Sequence, residues 1–257
     1  MYLMLTDETN NNPSEDIKFF AYGGLFFEID KLPIITKTIE EKRIKSGYEP
    51  DDILKFDTNV RPTSVDIEKV TRLKQDVITA CKTIESKFIV HIIHHEIIKN
   101  QNFQEHVEKA ADYVIGRYNK YLNDTDNYGI CIMDNLPNGA EFNYIKTKFA
   151  KGLQLDSGDE KRLDRINLYA STRVGASHAA SAIDIVLGSF RYAINNPCNE
   201  TVAKKLMKDV MELMWGWDGN INNVKGKGLI IRPKRVKVKA YQKDYDKLLE
   251  FIEKLLK

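Results

Sequence analysis

The chain has 257 residues, 42% of them hydrophobic and 30% charged, which suits a globular protein of one large domain or a domain with additions. Its formal net charge is +2, so no global field draws it to polyanions and any such attraction must come from a local patch. Cys81, Cys131 and Cys198 are far apart and form no C-x-x-C, which argues against a cysteine zinc site and for reduced thiols in a cytoplasmic setting.

The chain opens with an apolar run, Tyr2 to Leu5, that ends in Thr6-Asp7-Glu8-Thr9. This reads as a strand delivering an acidic pair to its exposed end, followed by a turn at Asn10-Asn11-Asn12-Pro13. Asp7-Glu8 interrupts the apolar start too early for a secretory signal. Lys18 to Glu28 reads as a second strand, aromatic-rich and buried on both faces. Its Gly23-Gly24 pair marks a bulge or a close backbone approach. The apolar run Phe19 to Ile29 is too short to span a membrane. Pro33 to Ser46 reads as a helix stopped by Gly47, and Asp52 to Asp57 as a short third strand. Val65 to Ile84 follows the 3.6-residue period of a helix.

Phe88 to Ile98 is β-branched and strand-like. Within it, His91 and His95 would share one face and His94 and Glu96 the other. No cysteine or third histidine stands nearby to complete a zinc set, so these read as polar positions on a partly exposed strand. Phe103 to Leu122 reads as an amphipathic helix. Tyr128 to Asp134 repeats the pattern of the first strand, an apolar run ending in Asp before a turn. Two adjacent parallel strands would bring Asp7 and Asp134 to one site.

Glu141 to Lys151 reads as a helix and Ile166 to Val174 as a strand. Gly175-Ala176-Ser177 leads into a helix to about Ile194, closed by Asn195-Asn196-Pro197. Its small and polar stripe, Ser177, Ser181, Asp184, Gly188 and Arg191, would let a sheet approach closely, and Asp184 is the helix's only acid. His178 lies roughly 240° around from Asp184 and reads as a helix-terminal surface residue. Thr201 to Trp217 reads as a helix and Lys225 to Lys239 as a basic strand or hairpin. That stretch suits either phosphate contact, with Trp215, Trp217 or Tyr241 for stacking, or an edge strand guarded by lysines. Tyr245 to Leu256 closes the chain as a helix.

Asp7 at the end of strand one, Asp134 at the end of a later strand and Asp184 in a late helix form an order that resembles ribonuclease H-like folds. More closely, the chain resembles the bacterial domain-of-unknown-function family numbered 3800. The matching segments are Thr6-Asp7-Glu8-Thr9, Phe19 to Gly24, Ile132-Met133-Asp134 and Ala182 to Gly188. Thr9-Asn10 replaces that family's Ser-Gly, and Ile53 stands where an acid precedes Lys55, with Asp52 or Asp57 as candidate substitutes.

The resemblance covers about residues 1–195 and implies an α/β fold, a mixed sheet flanked by helices; residues 196–257 lie outside it and read as a helix and basic-strand extension packed on that domain. Carboxylates suit hard cations, so Mg2+ or Mn2+ held by Asp7, Asp134 and Asp184, with Glu8 assisting, is the expected site. Two such ions serve phosphodiester cleavage. The expected activity is thus a metal-dependent nuclease on DNA or RNA, with Lys55, Arg235, Lys237 and Lys239 touching phosphates and a role in bacterial defence or mobile elements. A catalytically weak nucleic-acid- or protein-binding module and a small-molecule phosphoryl hydrolase are the competing expectations. The sequence has no phosphate-cradling Gly-x-x-x-x-Gly-Lys and no Gly-x-Ser-x-Gly, so it supports neither P-loop nor serine hydrolase chemistry.

Overall fold

The computed structural model describes residues 1–9, 17–154, 158–173, 175–196 and 200–254. The turn expected at Asn10 to Pro13, together with Val174, Pro197, Cys198 and Leu256, lies outside the described residues. The strands are β1 (Tyr2–Glu8), β2 (Phe19–Glu28), β3 (Lys87–His94), β4 (Gly129–Asp134), β5 (Leu153–Gln154), β6 (Glu160–Lys161), β7 (Ile166–Thr172) and β8 (Leu229–Arg232). The helices are α1 (Leu32–Ser46), α2 (Ile67–Thr83), α3 (His95–Ile98), α4 (Phe103–Asp124), α5 (Glu141–Lys151), α6 (His178–Asn195), α7 (Glu200–Met211), α8 (Ile221–Val224) and α9 (Lys239–Lys254).

Six strands form one mixed sheet in the order β7-β4-β1-β2-β3-β8, while β5 and β6 pair separately. β2 runs antiparallel to both β1 and β3, whereas β4 is parallel to β1, β7 to β4 and β8 to β3. Every strand of the sheet except β2 therefore points its C-terminal end to the same edge. The architecture is α/β, a mixed six-stranded sheet flanked by helices.

β2 is buried along nearly its whole length because helices cover both faces of the sheet. On one side Phe19, Leu25 and Phe27 join α1, α2, α6, α7 and α9 in the larger core. On the other, Phe20, Tyr22 and Phe26 pack with α4. Gly23 and Gly24 are close approaches and no bulge, since the ladders run through them in register. A Cβ on Gly23 would lie 2.9 Å from Leu187 Cδ1, and one on Gly24 2.8 Å from Met4 Sδ. α1 carries a proline in its first turn and ends at Gly47, whose φ of 94° is the left-handed stop that glycine adopts freely. α6 is capped by Ser177, whose hydroxyl accepts from the Ala180 amide at 3.1 Å.

Several expectations need correction. Asp52 to Asp57 is no strand: it finds no ladder and is held by side chains that reach its backbone. Arg43 donates to the Asp52 carbonyl, Lys74 to the Phe56 carbonyl, and the Phe56 amide donates to the Asp184 carboxylate. β3 stops at His94 because the His94 ring accepts from the Glu96 amide and starts α3 there. His91, His94 and His95 are buried rather than partly exposed, because α4 covers His91 through Tyr113, α9 covers His94 through Tyr241 and Tyr245, and His95, the first residue of α3, packs on Phe20. α7 ends at Met211, after which the Trp215 and Phe88 backbones bond to each other and draw the chain beside β3.

Only Leu229–Arg232 of the basic run forms a strand. Pro233, which has no amide to donate, follows it, so the alternation expected for Arg235 to Lys239 never becomes a strand face. Residues 196–257 supply α7, α8, α9 and the sixth strand. Among the described residues, no helix is long and apolar enough to cross a membrane.

Candidate functional site

The parallel register of β1 and β4 pairs Thr6 with Met133, so Asp7 and Asp134 emerge side by side where the two strands end. α6 lies across the same face and brings Asp184 to them. Asp7, Glu8, Asp134, Asp184, Lys55 and Arg191 line one cleft of about 240 Å³. Lys55 arrives on the extended segment between α1 and α2. That segment fits against α6 because residue 188 is glycine, and a Cβ there would clash with Phe56 Cγ and Cβ. The Phe56 amide then binds the Asp184 carboxylate, so the bare helix position fixes both an acid and the lysine beside it.

Each of the three aspartates places a carboxylate oxygen on a backbone amide: Asp7 on Glu8, at 2.8 Å, Asp134 on Asn135, at 2.9 Å, and Asp184 on Phe56. Among the described residues, no further hydrogen-bond donor reaches these carboxylates, so each keeps coordinating capacity. The charges are expensive. Burial first, then Asp184, Glu8 and Asp134, push Asp7 well above the usual carboxylate range. Burial and Asp134 raise Glu8 to about 7. Burial also raises Asp134 and Asp184, although Lys55 opposes the shift in both, with Arg173 helping at Asp134 and Lys74 and Arg191 at Asp184. Buried like charges that raise one another's pKa are typical of functional sites.

The lining donors are carboxylate oxygens, with no cysteine or histidine among them, and this set fits a hard divalent cation such as magnesium or manganese. Among the described residues, however, no three His, Cys, Asp or Glu side chains converge tightly enough to chelate one ion. The acids face one cleft but stand apart.

Glu8, at the very end of its strand, lines the cleft although strand alternation points it away from Asp7. Asp57 also lines the cleft, with its carboxylate on the Asn59 amide, whereas Asp52 turns back to the Glu49 amide. Arg235, Lys237 and Lys239 are not among the cleft's lining residues. They follow β8, whose C-terminal end lies on the same sheet edge as Asp7 but three strands away, roughly 14 Å across the sheet.

Three further residues, Arg191, Lys74 and Phe56, contribute to the site. Arg191 carries a signal in the sequence, for it stands seven residues after Asp184 on the same helix stripe. Lys74 and Phe56 carry none, because their meeting depends on how α2 and the 55–57 segment pack. His178 is half-buried against Arg43.

A scan against protein-family models finds no match, and a search of curated proteins finds no similar sequence.

Proposed function

We propose that this protein is a divalent-metal-dependent phosphodiester hydrolase acting on nucleic acid, on a ribonuclease H-like fold. The observation that carries the reading is the delivery of Asp7, Asp134 and Asp184 to one cleft by two adjacent parallel strands and the helix packed on them, with Lys55 and Arg191 beside them. The β3-β2-β1-β4-β7 order, with only β2 reversed, agrees with that fold and with the resemblance to the family numbered 3800.

The acids would hold magnesium or manganese, which supplies an activated water and polarises the phosphate. Lys55 and Arg191 would neutralise the phosphate as it enters. Glu8 lines the same cleft beside Asp7 and would assist the aspartates in holding the ion or orienting what it carries.

The test is incubation of the purified protein with labelled single- and double-stranded DNA and RNA plus magnesium or manganese, beside Asp7→Ala and Asp184→Ala. Cutting by the wild type that is lost in both variants is expected, and cutting that survives in both sinks the site. Ile53, standing where an acid would precede Lys55, favours one second reading, a catalytically weak module that binds nucleic acid or protein. It would show as metal-dependent thermal stabilisation, lost in the variants, with no cutting.

A further inference from the structure

A second, larger groove of about 590 Å³ adjoins the acid cleft and shares Phe56, Asp57 and Arg191 with it. α2, α6, α7 and residues 56–58 form its walls. Among its lining residues Lys74, Arg191 and Lys205 face a single acid, Asp57. Between these cations the wall is apolar, with Val202 46% exposed and Leu206 beside it. The Lys74 amine marks the junction: it lies 4.4 Å from the Phe56 ring centroid and donates to the Phe56 carbonyl.

The volume falls within the ~300–1,000 Å³ of sites that enclose small molecules or parts of polymers. A small inorganic anion would have no use for the apolar wall, and a purely apolar ligand would make no use of the cationic rim formed by Arg191 and Lys205. A polynucleotide strand offers both phosphates and base faces, and such mixed surfaces bind single strands with little sequence preference.

We propose, building on the nuclease reading above, that this groove holds the single-stranded segment next to the phosphodiester presented to the acid cleft. Lys74, Arg191 and Lys205 contact its phosphates, and Val202 and Leu206 lie against its bases. The groove is the specificity element of the site: it selects an unpaired strand on at least one side of the cut.

The test is fluorescence anisotropy of short labelled single-stranded DNA and RNA titrated with full-length protein in EDTA, so that nothing is cut, over a series of salt concentrations. Lys205→Glu is expected to weaken binding about ten-fold and to lower the slope of log affinity against log salt by about one. Val202→Glu, also at an exposed position, is expected to weaken it as well. Lys120→Glu, a charge reversal on α4 across the sheet, is expected to leave binding unchanged. Absence of binding by the wild type overturns the proposal, as does equal affinity of wild type and Lys205→Glu, or an equal loss in Lys120→Glu. Groove-dependent binding without cleavage in magnesium or manganese would defeat the nuclease reading and leave the groove standing. Cleavage of a single strand at the wild-type rate by Lys205→Glu would do the reverse.

Discussion

His91, on β3, lies in the core against α4, its ring stacked on Tyr113 at 4.9 Å and 10°, and among the described residues neither ring nitrogen has a hydrogen-bond partner. Burial, then His106 and Arg232, lower its pKa from 6.5 to about 3. A base depressed in the fold contributes stability that is full above the unfolded pKa and is lost as pH falls from 6.5 towards the folded value. Between those limits only the unfolded chain takes up the proton. At pH 5 the deficit spans about 1.5 pH units, or about 2 kcal/mol from this one ring. His91→Phe keeps an aromatic ring against Tyr113 and removes the titration. It also relieves two unpartnered buried nitrogens, worth about 1–3 kcal/mol each at any pH.

Thermal melts of wild type and His91→Phe from pH 8 to pH 4.5, both in EDTA, separate the two effects. The variant should melt higher throughout. The gap should widen by about 4–8 °C between pH 8 and pH 5, taking roughly 2–4 °C per kcal/mol for a chain of this size. Titrations common to both proteins cancel in the difference. Parallel curves would refute the reasoning, since they would mean that the imidazole is protonated in the fold or hydrated there.

Glu8, raised from 4.5 to about 7, has the opposite sign: the fold holds the extra proton, so stability is full below pH 4.5 and falls as pH rises through 7. Glu8→Gln in EDTA should match wild type near pH 4 and exceed it by about 2–3 kcal/mol at pH 8, and equal urea midpoints at pH 8 would contradict this. Asn195 ties the end of α6 to the start of β2, its carbonyl accepting from the Lys18 and Phe19 amides at 2.9 Å each. Asn195→Ala should cost about 1–3 kcal/mol in urea unfolding and expose the Phe19 amide to hydrogen exchange, and unchanged protection there would argue against the tie. Gly188→Ala trades roughly 1 kcal/mol of better helix propensity against a clash with Phe56, so stability should change by no more than about 2 kcal/mol. Metal-dependent cutting should still fall at least ten-fold, because Lys55 and the amide on Asp184 move; full activity would break the link drawn from Gly188 to the acids.

The framework of the site was legible because it rests on short-range patterns. Asp7 and Asp134 each end an apolar run, and Asp184 stands alone on a stripe of small residues, so sequence periodicity alone placed them on two strands and a helix. The parallel pairing of β1 and β4 then set the first two side by side. What failed depended on partners far along the chain. Asp52 to Asp57 has strand-like composition, but its backbone partners are side chains of α1, α2 and α6. The histidines of β3 looked like solvated positions because nothing local announces that α4 will cover His91 and that α9, more than a hundred residues later, will cover His94. The groove beside the cleft was invisible for the same reason, being made where α2, α6 and α7 meet.

The pairing of Gly23 with Asp7 has a consequence for the site's dimensions. With no side chain at position 23, Leu187 settles against the bare backbone beside the acid, and Leu187 is one helical turn beyond Asp184. The depth to which α6 sinks into the sheet is therefore gauged by a strand that carries none of the three aspartates. A methyl group at residue 23 would meet Leu187 Cδ1 and Phe88 Cε2 at 2.9 Å each, so it would press on the packing that seats α6, and with it Asp184, beside Asp7. Magnesium demands a tighter, more regular oxygen cage than calcium. If the cleft holds an ion as proposed, its preference would thus be adjustable from residue 23, which is not among the residues lining the cleft.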